Sequence, residues 1–97
     1  MLSFSMDFEW DNEKAKINWS KHGIHFDEAE TIFEDPLYID FYDPDHSDNE
    51  ERYIIVGRSQ QNRLLVVSYT ERDNKIRLIS AREATRREQM TYEEEQE

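Results

Sequence analysis

The apolar period of this chain switches from helical to alternating at Pro36, and that change does most to limit what the chain can fold into. From Asp11 to Pro36, apolar residues recur at helical spacing; after it come "LYIDFY", "RYIIVGRS", "RLLVVSYTER" and "KIRLISAR". These runs have the β-branched, alternating character of strands, in which successive side chains point to opposite faces. The separators "QQN" and "DN" are hairpin length, so strands over 52–59, 63–72 and 75–82 are expected to form an antiparallel meander.

The first third reads differently. Phe4, Met6, Phe8 and Trp10 alternate with polar residues and predict a first strand. Since "MDFEW" could itself begin a protein, residues 1–5 are read as an N-terminal extension. Asp11 is placed to cap a helix over "NEKAKINWSKH", with Gly23 closing it and Ala15, Trp19 and His22 along one side. A second helix is expected over "FDEAETIFED", with Phe26, Ala29, Ile32 and Phe33 as its apolar stripe, ending before Pro36. Thr85 followed by Glu88 matches a capping box and opens a last helix across "RREQMTYEEE". The expected fold class is therefore α+β, in the order β-α-α-β-β-β-β-α: a mainly antiparallel sheet with N-terminal helices and a C-terminal helix. A chain of 97 residues is read as one domain, 1–97, with an acidic tail over 93–97 that frays.

Several chemistries drop out. The chain has no cysteine, which excludes disulfides, thiolate zinc sites and cysteine nucleophiles. No apolar run approaches the ~20 residues of a membrane span. "MLSFSMDFEW" lacks the basic flank and long apolar stretch of a secretory signal, so a cytoplasmic protein without membrane contact is expected. Only Gly23 and Gly57 are available, too few for a nucleotide-cradling loop. Asp43, Asp45, Ser47 and Asn49 imitate the start of a calcium loop, but Asp48 stands where glycine is needed and Ile54 where glutamate is needed. His22, His25 and Asp27 do not complete a zinc set. No metal or cofactor is expected.

Charge is distributed in blocks. Net charge is −11, yet residues 52–87 carry 9 basic and 3 acidic side chains, between acidic segments on either side. Such asymmetry suggests a basic functional face, or two halves that attract across the fold. In the expected meander, Arg58 and Arg82 end two parallel strands, and Arg63 begins the strand between them. Arg86 and Arg87 fall in the first turn of the last helix. Five guanidiniums would then converge on one end of the sheet. Arginine at a helix N-terminus opposes the helix dipole by ~0.3–1 kcal/mol, and a bound anion relieves that opposition. Polymeric phosphate suits an arginine cluster without a glycine cradle, with Tyr69 or Tyr92 available to stack a base.

"FEWDNEKAKINWSKHGIHFDEAETIFEDP", "DPDHSDNEERYIIVG" and "LLVVSYTERDNKIRLISAREATRREQMTYEE" resemble the BrnT family of type II toxin–antitoxin modules. The resemblance runs from about Phe8 to Glu94, and "KHG", "DPDHS", "YTER" and "ISAREATRRE" carry most of it. It implies a RelE-like fold and a ribonuclease that cuts RNA and blocks translation. It also implies a cognate BrnA-like ribbon-helix-helix antitoxin, a hetero-oligomer with it, and operator DNA reached only through that antitoxin. Arg82, Arg86 and Arg87 match the family's basic segment, and Lys21 and His22 match "KHG". His25 stands where similar sequences offer Ser or Thr as a cap.

Metal-free RNA cleavage needs a base for the 2′-OH, cations for the phosphorane and an acid for the leaving 5′ oxygen. Arg82, Arg86 and Arg87 are the candidate catalytic cations, and His22 the candidate acid–base group. Glu83 and Glu88 are alternatives to His22, although Glu88 already serves the capping box. Arg58, Arg63, Lys21 and Tyr92 are the candidate RNA-binding residues. The alternative function is a catalytically weak or inactive antitoxin-binding module that acts in operon autoregulation.

Overall fold

A computed structural model describes residues 6–96. The expected extension over 1–5, the Phe4 end of the expected first strand, and Glu97 lie outside the described residues. Strands β1 (Phe8–Glu9), β2 (Ile39–Tyr42), β3 (Arg52–Arg58), β4 (Leu64–Arg72) and β5 (Lys75–Glu83) form one sheet in the order β1-β5-β4-β3-β2. Helix α1 spans Asn12–His22, α2 Phe26–Ala29 and α3 Arg86–Glu94. Every neighbouring pair is antiparallel except β1 and β5, which run parallel. The meander is present, and Asp73 and Asn74, both at positive φ, make its two-residue turn between β4 and β5.

Local chemistry sets the helix ends. The Asp11 carboxylate accepts from the Glu13 N–H at 2.8 Å, and Gly23, at φ 69°, donates back to the Trp19 carbonyl. The second helix is shorter than the sequence predicts. After Ala29 the chain tightens into a 3-10 turn over Glu30–Glu34. His25 supplies no cap, and the Thr31 hydroxyl donates to the Glu28 carbonyl at 2.7 Å, competing with the α-helical pattern. Strand β2 also starts late, because Asp35 accepts from the Leu37 N–H at 2.9 Å and holds residues 35–38 in a turn.

The sheet has two unequal faces. On one, Ile24, Phe26, Ala29 and Ile32 pack against Ile55, Leu65, Val67, Tyr69, Leu78 and Ala81. On the other, Tyr92 of α3 covers Val56, Leu64 and Val66 at one end. Among the described residues the rest of that face is open, with Phe41 half exposed. Gly57 faces the helices, where an added Cβ would stand 3.1 Å from the Ile32 carbonyl oxygen.

One irregularity sets where the arginines go. Ser68 pairs with Ser80 and Tyr69 with Leu78, so Ile79 is an extra residue in β5, a β-bulge. Leu78 and Ala81 therefore both reach the helix-covered core, although strict alternation would send them to opposite faces. Arg82, paired with Val66, is turned onto the α3 face.

Candidate phosphate-binding site

The predicted cluster of five arginines is smaller than expected. Arg63 is on the helix side, where its Nε donates to Glu28 Oε2 at 3.0 Å and its Nη2 to Glu28 Oε1 and the Gly23 carbonyl. Glu28 is 7 % exposed and also accepts from the Ser59 hydroxyl at 2.7 Å. Its hydrogen bond with Arg63 holds its carboxyl below the usual range. Arg63 is thus the partner of a buried carboxylate, and removing it would leave that charge unpaired. Strand position alone makes Arg63 a candidate for RNA, because it does not show Glu28 lying behind the hairpin.

Tyr92, the other candidate RNA-binding residue in this region, is also enclosed. It is 5 % exposed, and its hydroxyl donates to Asp35 Oδ2 at 2.6 Å. The same carboxylate oxygen accepts from the Arg58 N–H at 2.8 Å. Burial, then the bond to Asp35, pushes the Tyr92 hydroxyl up to about 12. Tyr92 anchors α3, with its ring in the core and under the Arg58 guanidinium, 5.9 Å from the ring centre. Tyr69 is similarly enclosed and bonded to Asp40 at 3.1 Å. Neither ring is open to stack a base.

At the start of α3, Glu88 does two things. It completes the capping box, accepting from the Thr85 N–H at 2.8 Å while its own N–H donates to Thr85 Oγ1 at 3.2 Å. It also accepts both fork nitrogens of Arg82, each at 2.8 Å. The Arg82 fork holds the Glu88 carboxyl down at about 2, so it stays ionised and cannot serve as a proton carrier near neutral pH. Arg82 is correspondingly neutralised.

Ion pairs sort the remaining arginines. Arg52, Arg63, Arg72, Arg77 and Arg82 each have a carboxylate partner. Among the described residues Arg58, Arg86 and Arg87 form none. Arg86 and Arg87 are exposed in the first turn of α3, and the Ala84 N–H bonds to the Leu64 carbonyl, in register with Arg58. The three arginines without a carboxylate partner among the described residues therefore flank one helix, α3.

Lys21 and His22 reach the same strand from another side. They share a shallow cleft with Ile79 and Ser80, at the β5 bulge. Asn18 brings α1 there: its amide nitrogen donates to the Ile24 and Ala81 carbonyls, each at 2.9 Å, and its Oδ1 accepts from the Ala81 N–H at 2.9 Å. The inward residue of α1 is thus Asn18 rather than Trp19, which is half exposed and stacked on His25 with 3.8 Å between ring centres. Asn18, Glu28 and Asp35, none of them singled out from the sequence, position the site. The one signal for Asn18 was a polar residue at the i+3 position from Ala15 on the apolar side of α1.

Among the described residues no group of three or more His, Asp or Glu is disposed to hold a metal ion. No helix among them is long and apolar enough to cross a membrane.

The family model described as the ribonuclease toxin BrnT of type II toxin–antitoxin systems matches residues 10–88. A solved structure, the ribonuclease toxin BrnT of Brucella abortus, superposes with a TM-score of 0.62. It is 21% identical, over 84% of this chain and 100% of that chain, a likeness that shows a shared fold. No curated protein matches the sequence.

Proposed function

The chain belongs to the BrnT family of ribonuclease toxins of type II toxin–antitoxin systems, and from that premise we propose that it cuts RNA without a metal ion on the sheet face that α3 borders. Arg86 and Arg87 bind the RNA's phosphate, Arg58 extends the basic face, and Lys21 and His22 approach from α1. The observation that carries this reading is the sorting of arginines: those with a glutamate partner hold the fold, and the three without one surround α3. Arg82 acts by fixing Glu88 and the helix start, so its contribution to the developing phosphorane charge is shared with that carboxylate. Preorganised guanidiniums at such a charge contribute about 3–4 kcal/mol each when removal of one donor is the measure. His22 supplies proton transfer.

In the cell the reading is a single-domain, RelE-like toxin of the cytoplasm that inhibits translation. A ribbon-helix-helix antitoxin neutralises it in a hetero-oligomer, and operator DNA is met only through that partner. The test is expression without the antitoxin: growth should arrest, and Arg86→Ala with Arg87→Ala should abolish arrest while the protein stays folded. A second reading, an inactive antitoxin-binding module, is favoured by the Arg82–Glu88 pair and by the net charge of −11. Under that reading, expression is harmless and the same substitutions weaken only complex formation.

A further inference from the structure

The loop between β2 and β3 holds a histidine–carboxylate pair that the site above does not use. The loop is closed on itself: the Asp43 N–H donates to the Arg52 carbonyl at 2.9 Å. Within it the Ser47 hydroxyl donates to the Asp43 carbonyl at 2.6 Å and accepts from the Arg52 N–H at 2.9 Å. Asp43 Oδ1 accepts from the Asp45 N–H at 3.2 Å, and Oδ2 lies 2.8 Å from His46 Nδ1. The carboxylate is 13% exposed and the imidazole 67% exposed. With Nδ1–H donated to Asp43, Nε2 carries the free lone pair of the ring.

His46 opens onto the uncovered sheet face, in a cleft shared with Arg52 and Ser68 whose other wall is Ile79 and Ser80. These two bulge residues also wall the cleft of Lys21 and His22. One irregularity of β5 thus stands between two histidines, and Ser80 and Arg82 follow each other on one face of the same strand.

We propose that His46, oriented by Asp43, is the base that takes the 2′-OH proton of an RNA lying across the Ile79–Ser80 bulge, with His22 as the acid on the other side. The inference rests on the ribonuclease reading above. The O2′–P bond forms as the proton passes to His46 Nε2. The P–O5′ bond breaks, and O5′ takes a proton from the His22 imidazolium. The products are a 2′,3′-cyclic phosphate and a 5′-hydroxyl, with each histidine left in the protonation state opposite to its starting one. The charged groups around His46 are Asp43, Asp45, Asp48, Glu50 and Arg52, so the positive charge arriving on the ring is met mainly by carboxylates.

The experiment is cleavage of a defined RNA by the full chain, alone and with ribosomes, from about pH 5 to 9. Wild type is compared with His46→Ala, Asp43→Asn, His22→Ala and Arg86→Ala. His46→Ala should keep its melting temperature, lose ~10²–10⁴-fold in rate, and lose the rise in rate with pH on the acid side. Added imidazole should restore part of the rate, since the position is open to solvent; Asp43→Asn should lose less. A substrate with sulfur in place of the leaving 5′ oxygen needs no acid, so it should rescue His22→Ala but not His46→Ala. His46→Ala cleaving with the wild-type rate and pH profile would overturn the inference. If Arg86→Ala were inactive in that same experiment, the ribonuclease reading would stand without it. No cleavage by wild type in either form would end both.

Discussion

Asn18 and Ala81 are joined by a reciprocal pair of hydrogen bonds, each 2.9 Å, from a helix side chain to both backbone groups of one residue of β5. Beyond β1, which pairs with Ile76 and Arg77, no other described strand pairs with this edge of β5, and the amide occupies it as a neighbouring strand would. Asn18 is 4 % exposed, so Asn18→Ala leaves buried backbone groups without partners. The expected cost is about 2–4 kcal/mol, read as a lower denaturant midpoint at unchanged slope. His22 and Lys21 should lose their place beside the bulge as well.

Arg82 and Glu88 make stability depend on pH in acid. The Glu88 carboxyl is lowered from 4.5 to about 2, chiefly by the Arg82 fork. Its stabilisation is therefore present above the unfolded value and lost as pH falls through the folded one. The side chains are 40% and 32% exposed, so solvent screening limits the pair to about 1 kcal/mol. Glu88→Gln should melt lower than wild type at neutral pH, and the gap should close between pH 4.5 and about 2. A gap independent of pH would contradict the pairing.

Tyr92 should prove structural. Tyr92→Phe removes the hydroxyl bonded to Asp35 and should cost about 1–2 kcal/mol, with RNA affinity at neutral pH unchanged. Because the Tyr92 hydroxyl is raised from 10.0 to about 12, its contribution is fully present below the lower value and lost as pH rises through the higher. The difference in melting temperature between wild type and variant should shrink over that interval.

Arg86 and Arg87 should show the opposite pattern. Removing a guanidinium from the first turn of α3 relieves the dipole, so each Ala variant should melt as high as wild type or slightly higher, by ~0.3–1 kcal/mol. RNA affinity should fall, and each lost phosphate contact should reduce the salt slope on single-stranded RNA by ~0.7. Destabilised Ala variants with an unaltered salt slope would place these arginines in the fold instead.

The meander was legible from period and separators, and the capping box from Thr85 and Glu88 alone, because both depend on neighbours close in sequence. The bulge was not. "KIRLISAR" alternates well enough to hide Ile79 as an extra residue, and only its pairing with β4 shows that Arg82 changes face. The fates of Arg63 and Tyr92 depend on Glu28 and Asp35, which lie 35 and 57 residues away in sequence. An arginine cluster can be counted in a sequence, whereas the carboxylates that neutralise part of it are assigned by the fold.

The most direct measurement of the central claim is cleavage of a defined RNA by the purified protein at low salt in the presence of EDTA, with wild type beside Arg86→Ala, Arg87→Ala and the double variant. The account predicts cleavage by wild type, a loss of ~10²–10³-fold in each single variant, and melting temperatures no lower than that of wild type. Cleavage that needs an added divalent metal, or that survives in the double variant, would contradict it.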